Sequence, residues 1–267
     1  MWAALALTTV LNLAPAQAGK LEIKNVRVTY GVLGQTRKEE KILPGDIAVV
    51  SFDIHGLKVK DTGDVLYATS FELIEKATGK ALLKQDMEDK KAVNNLGGDV
   101  LPTMTFAAFG LDTNPGVYTI KVNVKDRASG STAEMVKEVT VGRREEFGFV
   151  RVRFTSASNE PAPPVAVPGQ ALLLRYALVG FAFGKKDKLP DVTVEMQVLD
   201  DAGKPTTEKS AKARVQPAIK DETPFIEFLP IPLQLNRPGK FKVKLTASCE
   251  VSGKKAEQLL DLTVLDR

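Results

Sequence analysis

With 267 residues, 43% of them hydrophobic, the chain can bury one large core or two modest ones. The net charge of +4 is too small and too dispersed for a nucleic-acid footprint, which needs a basic stripe, and residues 19–142 balance 17 basic against 17 acidic side chains. The excess sits wholly in residues 143–267, with 20 basic and 16 acidic side chains.

Residues 3–18 form an apolar, alanine- and leucine-rich run that ends in Ala16-Gln17-Ala18, a small-x-small cleavage pattern. No Lys or Arg precedes it. The run predicts a signal peptide over residues 1–18, a mature start near Gly19, and an exported protein in the periplasm, at the cell surface or outside the cell. No later stretch reaches the length of a membrane span.

Residues 19–142 read as a first β domain. Leu21, Ile23, Val26 and Val28 predict an opening strand, with Asn25 marking a change of phase, and a polar loop follows over residues 31–41. After the turn Pro44-Gly45-Asp46, Ala48, Val50, Phe52 and Ile54 share one strand face up to Gly56. Residues 58–64 form a polar connection, and Tyr67, Thr69, Phe71 and Leu73 alternate in the next strand. Residues 85–95 are charged without a strand period and read as one or two helical turns or a loop. Residues 101–109 predict a strand in which Pro102 favours a first or edge position. A hairpin over residues 111–141 closes the domain, giving roughly seven strands.

Residues 143–147 are a short linker without Gly/Ser or Pro-rich length, so the two domains are expected to touch over a limited range of angles. The second domain spans residues 148–267. It opens with Val150, Val152 and Phe154 in phase and continues through a proline-rich loop at 156–168. From there the first domain returns. Pro44-Gly45-Asp46 recurs as Pro168-Gly169-Gln170 and Gly56 as Gly180, both offset by 124, and Pro115-Gly116 recurs as Pro238-Gly239, offset by 123. Near-constant spacing predicts an internal duplication. Val192, Val194, Met196 and Val198 break the match, falling one place out of phase with Phe71 and Leu73, which predicts a bulge or gap between Gly56 and Phe71.

The segment Leu111-x-x-x-Pro115-Gly116-x-Tyr118 leads into alternating Ile120, Val122 and Val124, and Pro238-Gly239 leads likewise into Phe241, Val243, Leu245, Ala247 and Cys249. With both copies in view, the chain resembles the immunoglobulin-like and fibronectin-type-III-like sandwiches of bacterial secreted and cell-surface proteins. The resemblance implies an all-β fold of two tandem immunoglobulin-like β-sandwiches. It also implies a tyrosine corner, in which the Tyr118 hydroxyl bonds back to nearby backbone. Phe241 occupies the matching place without a hydroxyl, so either packing alone holds the second corner or neither is such a corner. Cys249, the only cysteine, alternates in phase with the core and is expected to be a buried structural thiol.

Chemistry is sparse. His55 is the only histidine, and Ser51, Asp53 and His55 share a face of one strand rather than converging. Asp61 and Asp64 are the preferred pair for an ion, without the regular spacing of a calcium loop. The remaining surface candidate is the stretch after Leu178, where Phe181 and Phe183 precede Lys185, Lys186 and Lys188. Aromatics beside lysines suit stacking on a sugar or peptide. The expectation is a non-catalytic binding or assembly module without cofactor that contacts an envelope or extracellular protein or polysaccharide. The rivals are a purely structural spacer and a hydrolase with an unrecognised carboxylate site.

Overall fold

The computed structural model describes residues 20–186, 188–217 and 223–266. The expected signal peptide lies outside the described residues. Among the described residues the secondary structure is all β, in seventeen strands.

The first half comprises β1 (Glu22–Thr29), β2 (Lys41–Ile42), β3 (Ile47–His55), β4 (Asp64–Glu75), β5 (Lys80–Val93), β6 (Leu101–Ala108), β7 (Gly116–Asp126) and β8 (Thr132–Val141). They form one sheet in the order β1-β3-β6 and another in the order β2-β8-β7-β4-β5. The alternation in β3 and β7 has the period of a half-buried strand. Ala48, Val50, Phe52 and Ile54 point from the first sheet onto Tyr118, Ile120, Val122 and Val124 of the second, and all are buried in one cluster.

The second half comprises β9 (Gly148–Thr155), β10 (Val165–Ala166), β11 (Ala171–Val179), β12 (Val192–Asp200), β13 (Ala211–Val215), β14 (Phe225–Glu227), β15 (Ile231–Gln234), β16 (Gly239–Cys249) and β17 (Lys255–Val264). β11 pairs with β9 on one side and with β14 and β15 on the other, while the facing sheet runs β10-β17-β16-β12-β13. Its core joins Leu172, Leu174, Tyr176 and Leu178 to Val243, Leu245, Ala247 and Cys249. The pairing order matches the first half, strand for strand, apart from the division of one edge strand into β14 and β15.

Several expectations need correction. Residues 85–95 are neither helical nor loop up to Val93, but belong to the fourteen-residue strand β5. Among the described residues β5 pairs only with β4 and is exposed along both faces, so it carries no two-residue period, and two register shifts against β4 blur it further. The phase slip between the copies, by contrast, falls as a gap within the expected interval, in the loop after Gly56. β4 pairs with β7 without a break, and ten residues separate Gly56 from Tyr67 where eleven separate Gly180 from Val192. Val150, Val152 and Phe154 do not share a face. A bulge at Arg151, which has a φ of 55°, turns Val150 out of the core that holds Val152 and Phe154. The equivalent bulge in β1 is at Asn25, φ 53°, where the sequence had marked a change of phase.

Candidate functional site

The two halves meet in a buried junction. Ala177 and Val179 lie on the face of β11 that should meet solvent, yet both are buried with Val150, against Leu43 and Leu111 of the first half and Phe225 of the second. At the centre stands Asp46, whose side chain is 2% exposed. Its carboxylate receives the Arg37 guanidinium at 2.9 Å, the Ile47 amide at 2.8 Å and, from the other half, the Arg151 amide at 2.7 Å. Arg37, 6% exposed at its side chain, also donates to the carbonyls of Thr29 and Ile47 and lies over the Tyr30 ring. A buried ion pair offsets its desolvation only when its remaining donors and acceptors are bonded in this way.

Arg151 fastens the other side. Its left-handed backbone costs roughly 1–2 kcal/mol, offset by aiming its amide at Asp46. Its guanidinium donates to the Gly45 carbonyl at 2.9 Å and lies 4.7 Å from the Phe225 ring centroid. Around this centre the linker is pinned as well. Lys41 pairs with Glu146, Lys254 donates to the Glu145 carbonyl, and Arg144 donates to the Asp112 carbonyl. Gln35 reaches the β17 backbone at Leu259 and Asp261.

Beside the junction runs a small groove of about 200 Å³, with Val32, Val49 and Phe106 as its apolar floor and Arg151, Arg153 and Glu227 on its walls. Arg153 of β9 lies directly opposite Arg175 of β11 in the strand register. Burial pulls the Arg153 guanidinium below its ordinary pKa; Glu227 opposes this, and Arg175 and Arg151 add to it.

The sequence candidates fall elsewhere. Phe181 is 4% exposed and belongs to the second core, and Phe183 packs against that core with its ring 5.5 Å from Phe181. Phe181 therefore packs instead of presenting a face to a ligand, which corrects the expectation of a contact there, while Phe183 is only partly buried. Lys185, Lys186 and Lys188 are exposed. Cys249 is free and fully buried, with the Ala182 amide donating to its sulfur at 3.4 Å. Asp61 is exposed; the Thr62 hydroxyl and the Lys91 ammonium bond the Asp64 carboxyl and hold it below its usual pKa. Among the described residues no three His, Cys, Asp or Glu side chains are grouped to hold a metal ion. Ser51 and Asp53 contact Thr29 and Asn25, respectively, and among the described residues the buried Nε2 of His55 has no hydrogen-bond partner.

The two Pro-Gly turns do matching work. Pro115 and Pro238 are exposed, while Gly116 and Gly239 open β7 and β16 at φ 155° and 144°, a backbone that glycine adopts at little cost. The Tyr118 hydroxyl donates to the Asn114 carbonyl at 2.8 Å, and its ring meets Phe109 edge-on at 5.4 Å. Phe241 takes the Arg237 guanidinium on its face, 4.8 Å from the ring centroid. Tyr118→Phe is expected to lower stability by about 1 kcal/mol in urea unfolding, whereas a loss near zero would mean that packing alone holds this corner.

Sequence reasoning passed over Arg37, Asp46, Arg151 and Arg153. One signal was present: Asp46 is charged where Gln170, at the matching Pro-Gly turn, is neutral.

No family model matches the chain, and no curated protein does. Among solved structures it is similar to red sea bream transglutaminase, with 8% identity and a TM-score of 0.28, over 95% of this chain and 32% of that one. It is also similar to the dimeric latent PorU of Porphyromonas gingivalis, with 11% identity and a TM-score of 0.39, over 98% of this chain and 22% of that one. The chain thus spans about a third of the first and about a fifth of the second. Likenesses this weak carry no argument about activity or partners.

Proposed function

We propose that the chain is a non-catalytic, exported binding or assembly module in which two tandem immunoglobulin-like sandwiches, descended from one duplicated domain, are held at a fixed angle to face a protein or polysaccharide of the cell envelope. The observation that carries this reading is the Asp46 centre. A flexible pair of domains has no use for a desolvated carboxylate that collects one arginine from its own half and a backbone amide from the other. The apolar run before Gly19 supports export. Among the described residues no helix is long and apolar enough to cross a membrane.

A purely architectural spacer is the second reading, favoured by the packing of Phe181 into the core. Retention of envelope proteins and wall polysaccharides by immobilised chain, residues 19–267, separates the two. The binding reading expects one component to be retained by the parent and released about tenfold more readily by Asp46→Ala, since a loosened junction loses the gain of two surfaces acting together. Retention of nothing from either fraction favours the spacer. Equal retention by parent and variant removes the fixed angle from the account of binding.

A further inference from the structure

Arg153 and Arg175 face each other across adjacent strands, and among the described residues neither has a carboxylate at ion-pair distance. Like charges directly opposite in a sheet destabilise it. Arg153 donates to the Arg151 carbonyl at 3.0 Å and Arg175 donates to the Thr155 hydroxyl at 3.3 Å, so both side chains are held in place without being neutralised. Gly31 of the first half sits against the Arg153 stem, where an added Cβ would lie 2.6 Å from the Arg153 Cβ. The charge is therefore kept half-buried at the seam between the halves. Glu227 is the acid on the groove wall, and it acts on Arg153 only at longer range. In the floor below, Phe106 is half exposed and pairs in register with Val49.

We propose that this groove binds a carboxylate carried on an apolar group, with Arg153 as the anion contact, Arg175 reinforcing the charge, and Val49 and Phe106 receiving the apolar part. A guanidinium fork suits a carboxylate, and an unpaired, partly desolvated one gains most from it. The proposal rests on the reading of the junction as a fixed site and supplies its ligand class. Two sources share this chemistry: a peptide ending in an apolar residue, and the acid end of a short acyl chain.

The test is a titration of the isotopically labelled chain, followed by amide chemical shifts, with three probes: Ala-Ala-Phe with a free C-terminus, the same peptide amidated, and hexanoate. The free peptide or hexanoate is expected to shift resonances around Val49, Phe106 and Arg153, and the tighter of the two identifies the source. The amidated peptide is expected to bind at least about tenfold more weakly than the acid. Arg153→Gln is expected to weaken the acid by a similar factor while the melting temperature holds or rises by about 2 °C, because a like-charge pair has been relieved. Arg175→Gln is expected to give a smaller loss in the same direction. Equal binding of acid and amide, full affinity in Arg153→Gln, or no binding of either acid would overturn the proposal. Since Arg153 lies outside the Asp46 centre, failure here with an ordered junction leaves the proposed function standing.

Discussion

Replacing Asp46 with alanine is expected to destabilise the chain by about 3–5 kcal/mol, because the Arg37 guanidinium is then left buried without a counter-charge. Two further donors, the amides of Ile47 and Arg151, lose their acceptor in the same step. The loss is read by chemical denaturation, followed separately by Tyr118-side and Tyr176-side probes. The account expects the unfolding of the two halves to part company as well, since the variant removes a bond between them. Arg37→Met combined with Asp46→Leu is expected to recover only the part of the loss owed to the unpaired Arg37 charge, since the Ile47 and Arg151 amides still lack an acceptor. A loss below about 1 kcal/mol in Asp46→Ala, the range of an exposed pair, would show that Arg37 finds water when its partner is gone.

Gly180→Ala is expected to cost about 2–5 kcal/mol, from a left-handed backbone unsuited to alanine and from overpacking at the linker. Gly180 has a φ of 70°, and an added Cβ would lie 2.1 Å from the Glu146 carbonyl oxygen. That contact is with backbone, so no side chain can swing aside; the linker itself must move. Thermal unfolding measures the cost, and amide hydrogen exchange at residues 143–148 shows where it falls. Faster exchange confined to the linker is the expected pattern. Unchanged stability would mean that the linker is not seated on this glycine.

Much of the architecture was legible because half-buried strands write their faces in alternation. Ile120 to Val124 and Phe241 to Cys249 put their buried residues where the two-residue period places them, as does Ala48 to Ile54 apart from Val49, which is buried on the other face. Asn25 was legible as a phase change because its backbone takes the left-handed region more easily than most residues. Arg151 makes the same bulge but hides it, since arginine carries no such preference and the apolar residues around it keep their spacing in sequence. β5 was illegible for the opposite reason. Exposed on both faces, it has no inside and outside for the sequence to record.

The candidate site was almost wholly hidden. Arg37 sits in a run of charged residues that reads as a solvated loop, yet it is buried against Asp46, Tyr30 and the carbonyls of Thr29 and Ile47, none of them near it in the sequence pattern. Ala177 and Val179 looked like the solvent face of a strand, yet both are buried at the junction. The aromatic pair Phe181 and Phe183 misled in the other direction. Beside lysines it suggested a contact surface, but this loop folds back and Phe181 closes the core next to Cys249. Contacts between elements far apart in the chain leave no period, and sequence pattern alone cannot report them.

The central claim is that the two halves behave as one body. Residual dipolar couplings measured for the backbone amides of residues 20–141 and 148–264 in one weakly aligned sample test it most directly. The account predicts that both sets fit a single alignment tensor, equal in magnitude and orientation, when the halves are placed as in this structure, and that Asp46→Ala splits them. Two tensors of different magnitude in the parent chain would contradict it, for the halves would then be moving independently across a junction that is supposed to hold them.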